Sequence, residues 1–151
     1  MTVAAREDLA RAIDEIKAAV AEAAPVFRNA PNSNARPGEP WGAKEIIAHL
    51  IWWNEFSLDS VERVRAGGEA QAATRPTDEL NADAVAAMAG KPMVALTDDL
   101  EASVQQLIAA MQKLPDPSVT VMRRPNGQAF DAAGRLRVIA GHIRDHLGEI
   151  R

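Results

Sequence analysis

The stretch MVALTDDLEASVQQLIAAMQKL, Met93 to Leu114, sets Leu96, Leu100, Val104, Leu107, Met111 and Leu114 three or four residues apart. That spacing returns to one side of a 3.6-residue helix, so the segment predicts a helix with a single buried stripe. Pro115-Asp116-Pro117 closes it, because proline lacks an amide hydrogen and crowds the turn before it.

The same pattern extends outward in both directions. Toward the C-terminus, Asp131 is placed to cap a last helix reaching Arg151, with the stripe Leu136, Ile139, Ile143, Leu147 and Ile150. Between the two lies a β-prone run, Val119-Thr120-Val121. With the turn Pro125-Asn126-Gly127 and then Gln128 to Phe130, it predicts a small hairpin. Toward the N-terminus, a short helical piece around Asp78 to Met88 precedes Gly90-Lys91-Pro92. A long helix from Trp41 to about Ala66 buries Ile46, Ile47, Leu50, Trp53, Leu58 and Val61, and Gly67-Gly68 stops it. A first helix runs from Val3 to Ala24 on Leu9, Ile13, Ile16 and Val20, and Ala24-Pro25 ends or bends it. Four amphipathic helices cover their stripes most simply by packing on one another. The expected class is therefore all-α, a four-helix bundle in up-down packing, with long connections between its second and third and its third and fourth helices.

Composition agrees and narrows the function. The chain has 151 residues, 47% of them apolar and 25% charged, ordinary proportions for one globular domain over 1–151. It contains no cysteine, which removes disulfides, thiolate metal sites and cysteine nucleophiles together and fits a cytoplasmic setting. The start has no apolar leader core, and no stretch is apolar enough to cross a bilayer, so no membrane is expected. With a net charge of −4 and Arg123-Arg124 as the only adjacent basic pair, read as a solvated loop, nucleic acid is not an expected partner. Neither a phosphate-binding glycine loop nor a Ser/His/Asp order is present.

Chemistry concentrates in three histidines. His142 and His146 stand one helical turn apart on the last helix, so both rings lie on one face. His49 sits at the edge of the second helix's apolar face, between Ile46 and Trp53. If those helices are neighbours, the three imidazoles converge on one crevice and can ligate a divalent metal, leaving coordination positions open. Glu45, Asp145 and Glu149 are near enough in sequence to support the ligands. Against this stands a plainer account, three hydrogen-bonded histidines beside a core. Trp41 and Trp53 are read as packing residues, Trp52 as a surface or interface residue, and Met88, Met93 and Met111 as core filling.

Pro40-Trp41-Gly42-Ala43-Lys44-Glu45-Ile46-Ile47-Ala48-His49-Leu50-Ile51-Trp52-Trp53 resembles the W-x-x-K-(D/E)-x-x-x-H-L-x-x-W signature of the DinB superfamily. Gly141-His142-Ile143-Arg144-Asp145-His146-Leu147-Gly148-Glu149-Ile150 resembles that family's closing H-x-x-x-H-x-x-x-I helix. Leu80 to Val85 followed by Gly90-Lys91-Pro92 is similar to the middle of its ClbS/DfsB-like and maleylpyruvate-isomerase-like branches. The resemblance implies a bundle with a nickel- or zinc-type site on His49, His142 and His146. It also implies metal-dependent transferases or isomerases that use a small external thiol on a small-molecule electrophile. Two other readings remain open. One is a metal-free protective binding protein or hydrolase of the ClbS/DfsB-like kind. The other is a non-catalytic bundle, alone or as a homodimer, whose metal only stabilises the fold.

Overall fold

A computed structural model describes residues 3–36 and 38–150. Among these, five helices follow one another as α1 (Val3–Arg28), α2 (Ala43–Arg65), α3 (Thr77–Met88), α4 (Met93–Gln112) and α5 (Ala132–Leu147). Three two-residue strands interrupt them: β1 (Gln71–Ala72), β2 (Met122–Arg123) and β3 (Ala129–Phe130).

The apolar stripe of α4 lies in the core. Leu96, Leu100, Leu107 and Met111 of α4 are fully buried, as are Ile16 and Phe27 of α1, Ile46 and Ile47 of α2, and Leu136 and Ile143 of α5. The methionines Met88, Met93 and Met111 fill this core as expected. Bundle helix α1 packs on α5 and α4, α2 packs on α4, and α2 meets α5 only lightly. The ring order is thus α1–α4–α2–α5, with the consecutive helices α1 and α2 on a diagonal. An up-down bundle would have made them neighbours. The segment 29–42 is long enough to cross the end of the bundle, and it is pinned there by side chains. Asn32 Oδ1 accepts from the Met93 amide at 2.6 Å, at the first turn of α4, and Lys44 Nζ donates to the Asn32 carbonyl at 3.2 Å.

Four expectations shift in detail. First, α1 continues through Pro25 to Arg28. Phe27, fully buried, holds the extra turn down, and the Asn29 side chain donates to the Pro25 carbonyl at 2.7 Å. Second, α5 ends at Leu147, where the Gly148 amide donates to the Arg144 carbonyl and the Glu149 amide to the His146 carbonyl; Arg151 lies outside the described residues. Third, the hairpin forms one step later than Val119–Val121, pairing Met122 with Phe130 and Arg123 with Ala129. Its turn reverses at Gly127, whose φ of 89° favours glycine. Fourth, β1, which has no β-branched residue to announce it, adds in parallel, Gln71 opposite Met122. Ser60 of α2 fastens this edge, accepting from the Gln71 amide at 2.7 Å and donating to the Val121 carbonyl. The small sheet therefore stands against α2, beside the crevice between α2 and α5.

Asp131 is the predicted cap of α5, its carboxylate accepting from the Gly134 amide at 2.8 Å. Arg137 and Arg144 of α5 pair with Asp8, Glu15 and Glu22 of α1 along the outer seam. These pairs are solvent-exposed and set register more than stability.

Candidate metal centre

The light contact between α2 and α5 leaves a crevice, and the three histidines occupy it. Ring centroids of His49 and His142 are 5.7 Å apart, those of His49 and His146 are 5.3 Å apart, and those of His142 and His146 are 5.4 Å apart. One ring nitrogen from each lies within 4.8 Å of the others. Three nitrogens on one tetrahedral ion at the usual bond length of ~2.1 Å would be ~3.4 Å apart. Small side-chain rotations close that gap, so the donor set fits a metal.

The hydrogen bonds favour the same use. His49 is buried, and its Nδ1 lies 2.8 Å from Asn81 Oδ1. An amide oxygen only accepts, so Nδ1 carries the proton and the Nε2 lone pair stays free. His146 repeats the device with Nδ1 3.1 Å from Glu149 Oε2. A ring held at one nitrogen by an oxygen acceptor and open at the other is the usual arrangement of a metal-ligating histidine. Asn81 Oδ1 also accepts from Trp53 Nε1 at 3.1 Å, which fixes the amide's orientation.

Electrostatics favour the neutral form of two of the rings, His49 and His142. Burial holds the His49 imidazole below the usual histidine range, outweighing the bond to Asn81, and His146 and His142 press it the same way. His142 is also lowered, first by partial desolvation and then by His146 and Arg135, although the residue as a whole is solvent-exposed. The neutral imidazole is the form that binds a metal.

Several expected roles move. Of the three acids named as supports, Glu149 takes the part. Glu45 does not, because its Oε1 accepts from the Gly42 amide at 3.1 Å and the Ala35 amide at 2.9 Å, capping α2 and tying down the preceding loop. Asp145 makes no hydrogen bond to the triad and acts on His142 only through its charge. Trp41 is 39% exposed, and its ring lies 5.5 Å from that of His49. It is a wall of the site and not core, because it precedes α2 where the bundle end opens. Trp53 is half-buried and bonded to Asn81; Trp52 stacks on Phe56 at 5.5 Å, also half-buried.

Two residues escaped the sequence reading. Asn81 sits on α3, and only its Asx chemistry beside a run of alanines marked it. Arg135 is 7% exposed on the inner face of α5, three residues before Val138 and seven before His142. Its signal was a charged residue in register with the stripe, four before Ile139.

Two cavities lie at or near the triad. One, of about 190 Å³, is bounded by His49, His142, Trp53, Met122, Val138 and the arginines 123, 124 and 135. A wider cleft of about 680 Å³ is lined by Trp41 and Glu149, the neighbours of His49 and His146, and shares no lining residue with the first.

No curated protein matches the chain. Two solved structures superpose on it, both of a mycothiol-dependent maleylpyruvate isomerase, the second a histidine-to-alanine mutant. Each has a TM-score of 0.74 and covers 94% of this chain, at 17% and 16% identity respectively. The chain spans 60% of the length of those proteins. At that identity the likeness is one of fold. The model of the DinB superfamily matches residues 1–150, and the chain belongs to that family.

Proposed function

We propose that this chain is a metal- and thiol-dependent transferase or isomerase acting on a small electrophile. In this reading residues 1–151 form one cytoplasmic domain, and one divalent ion, zinc or nickel, is held by His49, His142 and His146. The observation that carries it is the pair of Nδ1 bonds, to Asn81 and Glu149, that leaves Nε2 of two rings free in a cluster whose ring nitrogens lie within 4.8 Å of one another. A cation held by neutral ligands keeps its charge and lowers the pKa of a bound thiol or water.

The chain's own residues do the rest. Asn81 and Glu149 fix the tautomers and orientations of His49 and His146. Trp41 and Trp53 bound the site with apolar surface, so a bound molecule is partly shielded from water. His49 and His142 line the smaller cavity, and Trp41 and Glu149, neighbours of His49 and His146, line the wider cleft; two separate hollows suit a two-substrate reaction, the thiol in the wider cleft and the electrophile in the smaller. With no cysteine of its own, the chain must take the thiol from outside. The fold is shared with an enzyme whose name specifies a mycothiol-dependent isomerase.

The test is turnover. Protein loaded with zinc or nickel and given a low-molecular-weight thiol should consume electrophile, and His49→Ala should abolish this. Absence of thiol consumption across a panel of cofactor thiols and electrophiles would refute the enzyme reading.

A further inference from the structure

Arg135 is buried to 93% inside a bundle where buried charge is otherwise capped or bonded, yet it has no acidic partner among the described residues. Its Nε donates to Ser57 Oγ at 2.9 Å, and Ser57 in turn donates to the Trp53 carbonyl at 2.8 Å. That leaves the two terminal nitrogens with no protein acceptor among the described residues. Other arginines of this chain behave differently: Arg28, Arg75, Arg137 and Arg144 each meet a carboxylate. A guanidinium cannot shed its charge at neutral pH, so burying one without a partner is costly. Desolvation, with the nearby Arg124, depresses its pKa to about 10, still charged in the neutral range.

The cavity it faces has the same character. Its wall includes Arg123, Arg124 and Arg135 and no aspartate or glutamate, in a chain whose net charge is −4. Trp53, Met122 and Val138 supply an apolar surface beside these cations. The arginine pair read from sequence as a solvated loop is thus carried by β2 and the turn after it to the mouth of this cavity. Arg124 is held there by its bond to Gln128 at 3.0 Å and by the Phe130 ring 5.0 Å beneath its guanidinium.

We infer that this cavity is an anion subsite in which Arg135 grips the carboxylate of a small organic acid. With Nε committed to Ser57, the paired terminal nitrogens form the free fork, which matches the two oxygens of a carboxylate. Arg124 and Arg123 close the mouth over it. The cavity volume of about 190 Å³ suits a small acid. Arg135 and His142 are two turns apart on α5, about 10 Å along the axis. An acid anchored at Arg135 therefore extends its far end toward the histidines. That use in catalysis rests on the proposed metal-dependent reading; the subsite itself does not.

Calorimetric titration of the full chain tests it, with succinate, neutral succinamide and inorganic phosphate as probes. Each is run on metal-loaded and chelator-treated samples whose metal content is measured alongside. Succinate should bind in both samples and succinamide in neither. Arg135→Gln should weaken succinate binding about ten- to a hundredfold without changing the helical circular dichroism or the metal content. Equal binding to Arg135→Gln, equal binding of succinamide, or a site that takes phosphate and rejects succinate would overturn the proposal. Should that variant fold poorly, the wild-type chain still decides: succinate should protect Arg135 from phenylglyoxal labelling, and no protection would overturn it. Loss of metal with succinate binding intact would count against the metal reading alone.

Discussion

His49 Nδ1 and Asn81 Oδ1 lie 2.8 Å apart, joining α2 to α3 at the edge of the histidine crevice. This bond explains why a short helix inserted between α2 and α4 matters to the site. Through the same oxygen, Asn81 also receives Trp53 Nε1–H, so one amide sets both a ligand ring and a wall of the cavity.

Replacing Asn81 by Ala should lower metal affinity about 10- to 100-fold, the usual effect of losing the partner that orients a ligating histidine. Because Asn81 lies on α3 and only partly buried, the melting temperature of the metal-free protein should change little. Competition with a chromophoric chelator measures the first and thermal denaturation the second.

Acid should destabilise the metal-free protein from near pH 6.5 downward. His49 and His142 have folded-state pKa values below the ordinary 6.5. As the pH falls through 6.5, the unfolded chain takes up protons that the folded chain does not, so stability drops and levels off below the folded values. Denaturant melts at pH 7.5 and 5.5 should show the loss, and His49→Gln should reduce it.

Arg135→Met should leave the melting temperature unchanged or raise it. A flexible apolar chain of similar length removes an unpaired buried cation, and such replacements are commonly neutral or stabilising. A structural arginine would give the opposite result. A gain of ~1 kcal/mol would appear as roughly 2–4 °C in a chain of this size.

Leu107→Ala in α4 should cost about 2–5 kcal/mol, since the side chain is fully buried and its neighbours cannot collapse completely onto the space. Asp131→Ala should cost about 1 kcal/mol by leaving the Gly134 amide without its cap. Chemical denaturation measures both.

How much of this could be read from the chain depends on periodicity. The stripes of α1, α2, α4 and α5 are long enough for the 3.6-residue pattern to stand out, and the core residues followed from it. The triad was legible for the same reason: His142 and His146 share a helical face, and His49 sits on the edge of another. What joined them was tertiary packing, and sequence order alone misjudged it by making α1 and α2 neighbours. Strand β1 was invisible because two residues, Gln71 and Ala72, are too few to show a pattern and gain their pairing from Ser60 and β2. Asn81 and Arg135 were missed because their roles lie in what faces them across the crevice. Glu45 shows the reverse case: near His49 in sequence, it is turned away by the demands of the helix end it caps.

The proposed metal centre stands on His49, His142 and His146 sharing one cation. Elemental analysis of protein purified without a histidine tag, before and after equilibration with zinc or nickel, addresses it most directly. Wild-type protein should hold about one divalent ion per chain, and His49→Ala and His146→Ala should each lose it. Metal-free wild-type protein that stays empty after loading, or alanine variants that retain the ion, would contradict it.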